Sequence, residues 1–124
     1  MDIVIDFDGT VVMHSYPKIG KGIGAVSILK KLIENGHKLI LFTMRSDKQL
    51  NEAVNWFKEN EIPLYGIQKN PTQQNWATSP KAYGQLIIDD AALGAPLIYD
   101  KTIHPRPFID WVEVDKILQK MGLY

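Results

Sequence analysis

The sequence predicts an α/β domain built around a mostly parallel sheet. Three short apolar runs, at residues 3–5, 39–42 and 86–88, have the length and β-branched content of buried strands. Apolar residues recur with helical spacing in the segments between and after these runs. Strands that alternate with helices indicate βαβ units with right-handed connections. The chain has 124 residues, the size of one ordinary domain, and we expect a single domain over residues 1–124.

Three helices are predicted, each from one apolar face. In chain order, the apolar positions of these faces are Ala25, Ile28, Leu29 and Leu32; Leu50, Ala53, Val54 and Phe57; and Val114, Ile117, Leu118 and Met121. The Asn-Gly pair at 35–36 favours a left-handed end to the first helix. Ser46 or Asp47 can cap the second helix. Asp110 and Glu113 have the spacing of a capping box at the start of the third.

Two weaker strands complete the predicted sheet. Residues 62–66 contain a proline and form a short third strand, and residues 97–99 follow a proline that suits an edge strand. The polar segment 68–80 contains two prolines, and we expect a long loop with at most one irregular turn. The predicted sheet therefore has about five strands.

Composition excludes several classes of protein. Lys plus Arg and Asp plus Glu are 14 each, so the formal net charge is zero and binding of nucleic acid through bulk charge is not expected. The absence of cysteine excludes disulfides, thiolate catalysis and cysteine-ligated zinc. The sequence contains no secretory signal pattern and no apolar run of membrane-spanning length. We therefore expect a cytoplasmic protein with no membrane partner.

Two carboxylates follow the first strand. Asp6 and Asp8 are separated by one apolar residue, so they point to the same side of an extended chain before Gly9 and Thr10 turn it. The carboxyl end of a strand is where open α/β sheets bind ligands. Two close acids favour a divalent cation such as Mg²⁺, or a nucleophile paired with a general acid.

Other strand ends supply matching groups. Thr43 follows the second strong strand, and Asp89 and Asp90 follow the third. A carboxylate from a second strand would complete an oxygen cage for Mg²⁺, and the Thr43 hydroxyl can donate to a phosphate oxygen. Lys81 precedes the last of these strands and could neutralise charge at the same edge of the sheet.

These motifs resemble those of the haloacid dehalogenase superfamily of phosphohydrolases. Residues 6–10 match its Asp-x-Asp-Gly-Thr motif, residues 39–43 its apolar strand ending in Thr, and residues 86–90 its apolar strand ending in paired acids. Lys81 is the best match for the family lysine, although no helix is predicted between it and the next strand. The motifs follow the family's order, and the resemblance covers residues 3 to 99. It implies a three-layer, Rossmann-like fold.

The resemblance also implies roles for the acids. Asp6 would be the nucleophile that forms an aspartyl-phosphate, and Asp8 the general acid and then the base. Mg²⁺ would be held by Asp6, by Asp89 and by the backbone carbonyl of Asp8, with Asp90 as a supporting or alternative ligand. The activity implied is that of a Mg²⁺-dependent phosphatase.

Further residues are expected to contact the phosphoryl group or the rest of the substrate. For the phosphoryl group these are Thr43 and Lys81, and for the substrate Gly9, Thr10, Met44 and Arg45. A solvated helix start is an equal interpretation for Arg45. We interpret His14 as a surface-loop residue.

The family's large cap domain has no room here, because residues 11–22 and 66–80 are both short. A capless site is open, so it could accept a phosphorylated small molecule or a nucleic-acid end, or take a lid from a second subunit of a homo-oligomer. Two other interpretations remain. One is a non-catalytic binding or regulatory module that keeps the metal site. The other is a signalling receiver domain, which the position of Asp6 after the first strand disfavours.

Overall fold

The structure is a computed structural model that describes residues 1–124. The central sheet consists of four parallel strands, β1 (Asp2–Ile5), β2 (Lys38–Leu41), β3 (Gly66–Ile67) and β4 (Leu86–Ile88). Their order across the sheet is β3-β2-β1-β4. A separate antiparallel pair is formed by β5 (Leu97–Ile98) and β6 (Phe108–Ile109). The helices are α1 (Ala25–Glu34), α2 (Asp47–Glu59) and α3 (Trp111–Lys120).

The α/β class and the mostly parallel sheet are confirmed, but the prediction of about five strands in that sheet is wrong. The segment 97–99 does not join the sheet as an edge strand, because Leu97 and Ile98 pair with β6 instead. The third strand is also later than predicted. The Ile62 amide donates to the Phe57 carbonyl oxygen in the turn after α2, which leaves Gly66–Ile67 as the paired residues.

All three helices contribute to one core cluster on one face of the sheet. The buried strand residues of this cluster are Ile3, Ile5, Leu39, Leu41 and Ile88. The face predicted for α1 is fully confirmed, because all four of its apolar positions are buried. Of the apolar face predicted for the third helix, Val114 and Leu118 are buried, whereas Ile117 and Met121, the residue after α3, remain about half exposed.

The opposite face of the sheet is covered by irregular chain. Val4 and Ile40 pack there against Ala82 and the half-buried Tyr65. Helices on both faces, as a three-layer arrangement requires, are therefore not observed. The segment between β3 and β4 is too polar to present an apolar helical face, and it contains only a single 3₁₀ turn, Gln73–Asn75.

This covering segment is held by two buried amide side chains. Gln73 accepts from the backbone N–H groups of Asn70 and Tyr83 and donates to the carbonyl oxygens of Ser79 and Lys81. Both Gln73 and Asn70 are buried, and no buried side-chain polar atom in the protein lacks a hydrogen-bond partner. Satisfied amides thus allow a polar loop to cover an apolar face.

The helix ends follow local rules in part. Asp110 caps α3 as predicted, since its side chain accepts from the backbone N–H groups of Val112 and Glu113. Ser46 occupies the cap position of α2 without a side-chain hydrogen bond. None of the helices has the length and apolar character needed to cross a lipid bilayer.

Candidate functional site

Strand register brings three chain segments to one edge of the sheet. Ile5, the last residue of β1, is paired with Leu41 of β2 and with Ile88 of β4. The residues that follow these strands therefore emerge side by side. The next amide continues the ladder, because the N–H of Asp6 donates to the carbonyl oxygen of Ile88 at 3.1 Å.

Three carboxylates converge at this edge. One oxygen from each of Asp6, Asp89 and Asp90 lies within 4.8 Å of the others, and all three residues are partly buried. None of them is ion-paired with a lysine or arginine, since the only ion pair in the group joins Asp90 to His14. The result is a compact site with excess negative charge.

The pKa of Asp6 reflects this environment. Burial, with a smaller contribution from the charge of Asp89, raises the pKa of Asp6 to about 8, while a hydrogen bond from Thr10 acts in the opposite direction. Burial disfavours the charged form of a carboxyl group, and a nearby like charge adds to the effect. A bound cation would reverse both costs, so this carboxylate is suited to a site that is completed by a metal.

Thr10 joins the two strand ends. Its hydroxyl donates to Oδ2 of Asp6 at 2.7 Å, lies 3.2 Å from Oδ1 of Asp90, and accepts from the Asp90 backbone N–H at 3.0 Å. The side chain is fully buried. The expectation that Thr10 would bind substrate is therefore corrected: its hydroxyl is used inside the protein to orient two of the acids.

Gly9 and His14 occupy adjoining space. The imidazole Nε2 of His14 lies 3.0 Å from Oδ2 of Asp90, and a Cβ atom on Gly9 would lie 2.1 Å from that nitrogen. Gly9 also has a φ of +78° and donates its N–H to the Val12 carbonyl oxygen. Gly9 therefore makes room for His14 instead of binding substrate through its N–H, and the interpretation of His14 as a surface residue is wrong.

Asp8 lies apart from the other acids and is paired with Arg45. The Nε and Nη2 atoms of Arg45 donate to Oδ2 and Oδ1 of Asp8 at 2.8 and 2.7 Å. Arg45 is only 2% exposed, so the interpretation of this residue as part of a solvated helix start is wrong. The side chain of Asp8 is thus no ligand in the acid cluster, while its backbone carbonyl oxygen accepts no hydrogen bond from the protein.

Thr43 is held by a residue that sequence reasoning missed. Gln68 accepts from the Thr43 N–H at 2.8 Å and donates to the carbonyl oxygens of Thr43 and Arg45 at 2.7 and 3.3 Å. Gln68 has a φ of +66°, a conformation that non-glycine residues rarely adopt, but no sequence pattern identifies this position. The Thr43 hydroxyl accepts from the Arg45 N–H and donates to no protein group, so it is free to donate to a ligand.

The two remaining expected residues are exposed. Met44 is 98% exposed, between Thr43 and Arg45, where it can contact a ligand that approaches the site. Lys81 is exposed and forms no ion pair with Asp6, Asp89 or Asp90. The structure therefore does not bring Lys81 into contact with the acids, and its role stays a prediction.

The donor set fits a hard divalent cation. Carboxylate oxygens are the ligands that Mg²⁺ and Ca²⁺ prefer, and Mg²⁺ commonly uses only one or two carboxylates and keeps several waters. Oδ1 of Asp89 accepts from the Ala91 N–H, which leaves Oδ2 without a protein partner. Asp6 and Asp89 together provide oxygens toward one point, with Asp90 beside them.

Comparison with known proteins finds a similar solved structure whose description names no activity. A solved structure from Bacteroides thetaiotaomicron, described as a conserved protein coded by a locus of that organism, is 32% identical to this chain. The match covers 98% of this chain and 91% of that one, with a TM-score of 0.80. This chain belongs to the same family. No protein-family model and no curated protein matches the chain, so the family relationship alone assigns no chemistry.

Proposed function

We propose that this protein is a Mg²⁺-dependent phosphohydrolase of the haloacid dehalogenase type, which cleaves phosphate monoesters through an aspartyl-phosphate on Asp6. One observation carries the proposal. The carboxylates of Asp6, Asp89 and Asp90 come from two different strands and lie within 4.8 Å of one another at the carboxyl edge of a parallel sheet. That arrangement is the one expected from the two acidic motifs, at residues 6–10 and 86–90.

A Rossmann-like fold of this type, with no large cap domain, is supported by the parallel β3-β2-β1-β4 order. The nucleophile would follow the central strand β1, and the paired acids would follow its neighbour β4. The fold alone does not identify the chemistry, because similar sheets serve many functions. The proposal therefore depends on the residues at the strand ends.

The metal would be held by Asp6 and Asp89, with Asp90 as a supporting ligand and the free backbone carbonyl of Asp8 as a further donor. When bound, Mg²⁺ supplies positive charge that neutralises the phosphoryl oxygens. It also keeps Asp6 ionised, whereas the protein alone raises the pKa of this carboxyl group to about 8.

The reaction proceeds in two displacements on the residues of this chain. The Asp6 carboxylate attacks phosphorus, the P–O bond to the leaving group breaks, and a proton from Asp8 neutralises the leaving oxygen. Water then attacks the aspartyl-phosphate, Asp8 accepts its proton, and cleavage of the P–O bond to Asp6 releases inorganic phosphate. The Asp8 side chain is 20% exposed, and Arg45 uses one lone pair on each of its oxygens, so a second remains for proton transfer.

The substrate is proposed to be a phosphorylated small molecule or a nucleic-acid end. No cap domain stands over the acids, and the hydroxyl of Thr43 is free to donate to a phosphoryl oxygen. The exposed Met44 beside it provides an adaptable apolar contact for the remainder of the substrate. Lys81 would need to extend toward the acids when phosphate is bound.

The test is release of inorganic phosphate from a panel of p-nitrophenyl phosphate, sugar phosphates, nucleotides and a 3′-phosphorylated oligonucleotide, with and without Mg²⁺. Activity should require Mg²⁺ and fall to background in Asp6→Asn. Acid quench followed by intact-mass analysis should detect the phosphorylated protein in Asp8→Asn, which forms the intermediate but hydrolyses it slowly.

Asp2→Asn is the matched control, since Asp2 lies at the amino end of β1, whereas Asp6 follows its carboxyl end. It should keep wild-type activity. If Mg²⁺ binds but no ester or anhydride in the panel is cleaved, the phosphatase assignment is wrong, and the non-catalytic metal-binding module becomes the better description.

A further inference from the structure

Arg45 is one of the largest buried side chains in the protein, and a carboxylate lies directly against it. Its Nε and Nη2 atoms form two parallel hydrogen bonds to the oxygens of Asp8, at 2.8 and 2.7 Å. This two-point geometry fixes the rotation of the carboxylate as well as its distance, which a single hydrogen bond would not do.

The other guanidinium N–H groups donate hydrogen bonds to backbone carbonyl oxygens. Nη2 also donates to the Lys18 carbonyl oxygen at 2.7 Å, and Nη1 donates to those of Pro17 and Gln49 at 3.1 and 3.5 Å. A guanidinium has five N–H groups, and here each has an acceptor within the protein. Arg45 therefore has no donor left for a phosphoryl oxygen, which corrects the expectation that it binds substrate.

Two aromatic rings complete the enclosure of Arg45. The guanidinium carbon lies 5.1 Å from the ring centre of Phe7 and 5.2 Å from that of Tyr16. Phe7 is buried in the core between Asp6 and Asp8, whereas Tyr16 is exposed on the loop that Arg45 holds through residues 17 and 18. Contacts with aromatic faces further restrict the plane of the guanidinium.

The backbone of Arg45 is also restrained. Its N–H donates to the Thr43 hydroxyl at 3.1 Å, and its carbonyl oxygen accepts from Gln68 at 3.3 Å. The side chain thus extends from a fixed point at the end of β2 to the segment that follows β1. An ion pair of the buried Arg45 with the partly exposed Asp8 stabilises a fold only weakly. The two-point contact with the proposed general acid is therefore better explained by a role in geometry than by a role in stability.

We propose that Arg45 is a positioning residue that sets the orientation of Asp8 and ties the loop of residues 14–18 to the edge of the sheet. It acts on turnover through Asp8 and does not touch the substrate. The kinetic part of this proposal rests on the proposed phosphatase function, whereas the structural coupling between Arg45 and Asp8 does not.

The kinetic test compares Arg45→Gln, Asp8→Asn and the double variant, with Mg²⁺ and p-nitrophenyl phosphate. Loss of orientation should lower kcat in Arg45→Gln by about 10- to 100-fold with KM within about twofold of wild type. The same substitution should have no further effect in the Asp8→Asn background. A raised KM, or an undiminished effect in that background, would show that Arg45 contacts substrate and would overturn the proposal.

Two further variants separate positioning from general loss of structure. Arg45→Lys keeps the charge but not the two-point contact, so kcat should still fall, in a protein that remains folded. Arg106→Gln, at an exposed arginine, should leave kcat and KM unchanged. Wild-type kcat in Arg45→Lys would mean that charge alone suffices, and it would contradict a positioning role.

A stability cycle covers the case in which the wild type hydrolyses nothing. Each single substitution leaves the other residue of the pair without its partner, so the double variant should be less destabilised in urea unfolding than the sum of the two single variants. Amide exchange at residues 14–18 should accelerate in Arg45→Lys and stay unchanged in Arg106→Gln. Additive destabilisation with unchanged exchange would refute the inference, whatever the fate of the phosphatase assignment.

Discussion

The Nε2 atom of His14 lies 3.0 Å from Oδ2 of Asp90, although the two residues are 76 positions apart in the sequence. The backbone carbonyl oxygen of His14 lies 2.7 Å from Nε2 of His104, which holds the same loop from its outer side. These contacts connect the segment after β1 to the end of β4. They orient Asp90 beside the two acids that are the better candidates for metal ligands.

His14→Ala should weaken Mg²⁺ binding by about tenfold, because loss of a group that orients a metal ligand typically lowers metal affinity by that factor or more. Isothermal titration calorimetry would measure the change. His37→Ala is the control, since His37 contacts the chain ends at the other edge of the sheet, near Met1 and Leu123. Equal Mg²⁺ affinities for wild type and His14→Ala would show that His14 does not contribute to metal binding.

Substitutions of Asp89 and Asp90 should differ in their effect on Mg²⁺ affinity. Asp90 is contacted on one oxygen by His14 and on the other by Thr10, whereas Oδ2 of Asp89 has no protein partner. Asp89→Asn should therefore reduce Mg²⁺ affinity more than Asp90→Asn does. Calorimetry on both variants decides the order, and a larger loss in Asp90→Asn would make Asp90 the direct ligand.

Gly9→Ala should lower Mg²⁺ affinity more than Gly36→Ala does, although both substitutions strain the backbone to a similar extent. An added Cβ at Gly9 would lie 2.1 Å from His14 Nε2 and 2.6 Å from Asp90 Oδ2, at a φ of +78°. Gly36 has a φ of +83° with no atom within 4 Å of an added Cβ, so Gly36→Ala carries strain of about 1 kcal/mol without the clash.

Thermal unfolding and Mg²⁺ titration of both glycine variants would test this difference. Gly36→Ala should lose stability but keep normal Mg²⁺ affinity. Gly9→Ala should lose both, because His14 or Asp90 must move. Similar affinities in the two variants would mean that the contact between His14 and Asp90 does not matter for the metal.

Stability without metal should fall as the pH rises from about 4 to about 8. The pKa of Asp6 is about 8 in the folded protein and about 3.9 when unfolded, so the folded state binds more protons across this window. The free energy of unfolding then decreases with pH, by up to about 1.4 kcal/mol for each unit. Asp6→Asn cannot titrate and should lack this part of the decrease.

Urea unfolding at several pH values, with wild type and Asp6→Asn in chelator, would measure the difference in slope. The stability advantage of Asp6→Asn should grow toward pH 8 and then level off. Saturating Mg²⁺ should reverse the order at high pH by binding the ionised wild type. Parallel pH profiles for the two proteins would indicate that the Asp6 carboxyl group is not desolvated.

Gln68→Ala should destabilise the loop after β2 by about 1–3 kcal/mol, since it leaves backbone groups of Thr43 and Arg45 without partners. The exposed Gln74, whose side chain forms no hydrogen bond within the protein, supplies the control Gln74→Ala. Urea unfolding would compare them. If Gln68→Ala also lowers phosphatase activity and Gln74→Ala does not, Gln68 supports the geometry of Thr43.

Local patterns predicted much of the fold because they report directly on burial. The face of α1 and the strands that flank Asp6 and Asp89 follow from apolar spacing, and the cap at Asp110 follows from a short-range rule. The pairing of β5 with β6 could not be predicted in this way. Leu97 and Ile98 have the composition of an edge strand, and the choice of partner depends on contacts that are distant in sequence.

The candidate site also has a part that the sequence predicted and a part that it did not. The positions of Asp6 and Asp89 at one edge were predictable, because the carboxyl ends of neighbouring parallel strands lie at the same edge of a sheet. The pairing of Asp8 with Arg45 and the position of Lys81 away from the acids were not. Side-chain direction in loops depends on which acceptors the folded chain places nearby, as the three backbone carbonyl oxygens around Arg45 illustrate.

By itself the sequence determined the class of the fold, the strand that bears the first acid and the residue types gathered at the edge of the sheet. Only the tertiary structure decided that Asp8 is paired with Arg45, that His14 contacts Asp90, and that Gln68 holds Thr43. The physical reason is that strand formation depends on the apolar character of a few consecutive residues, whereas each of these contacts joins groups at least 25 positions apart. Such contacts exist only once the packed core has set the relative positions of the segments that carry them.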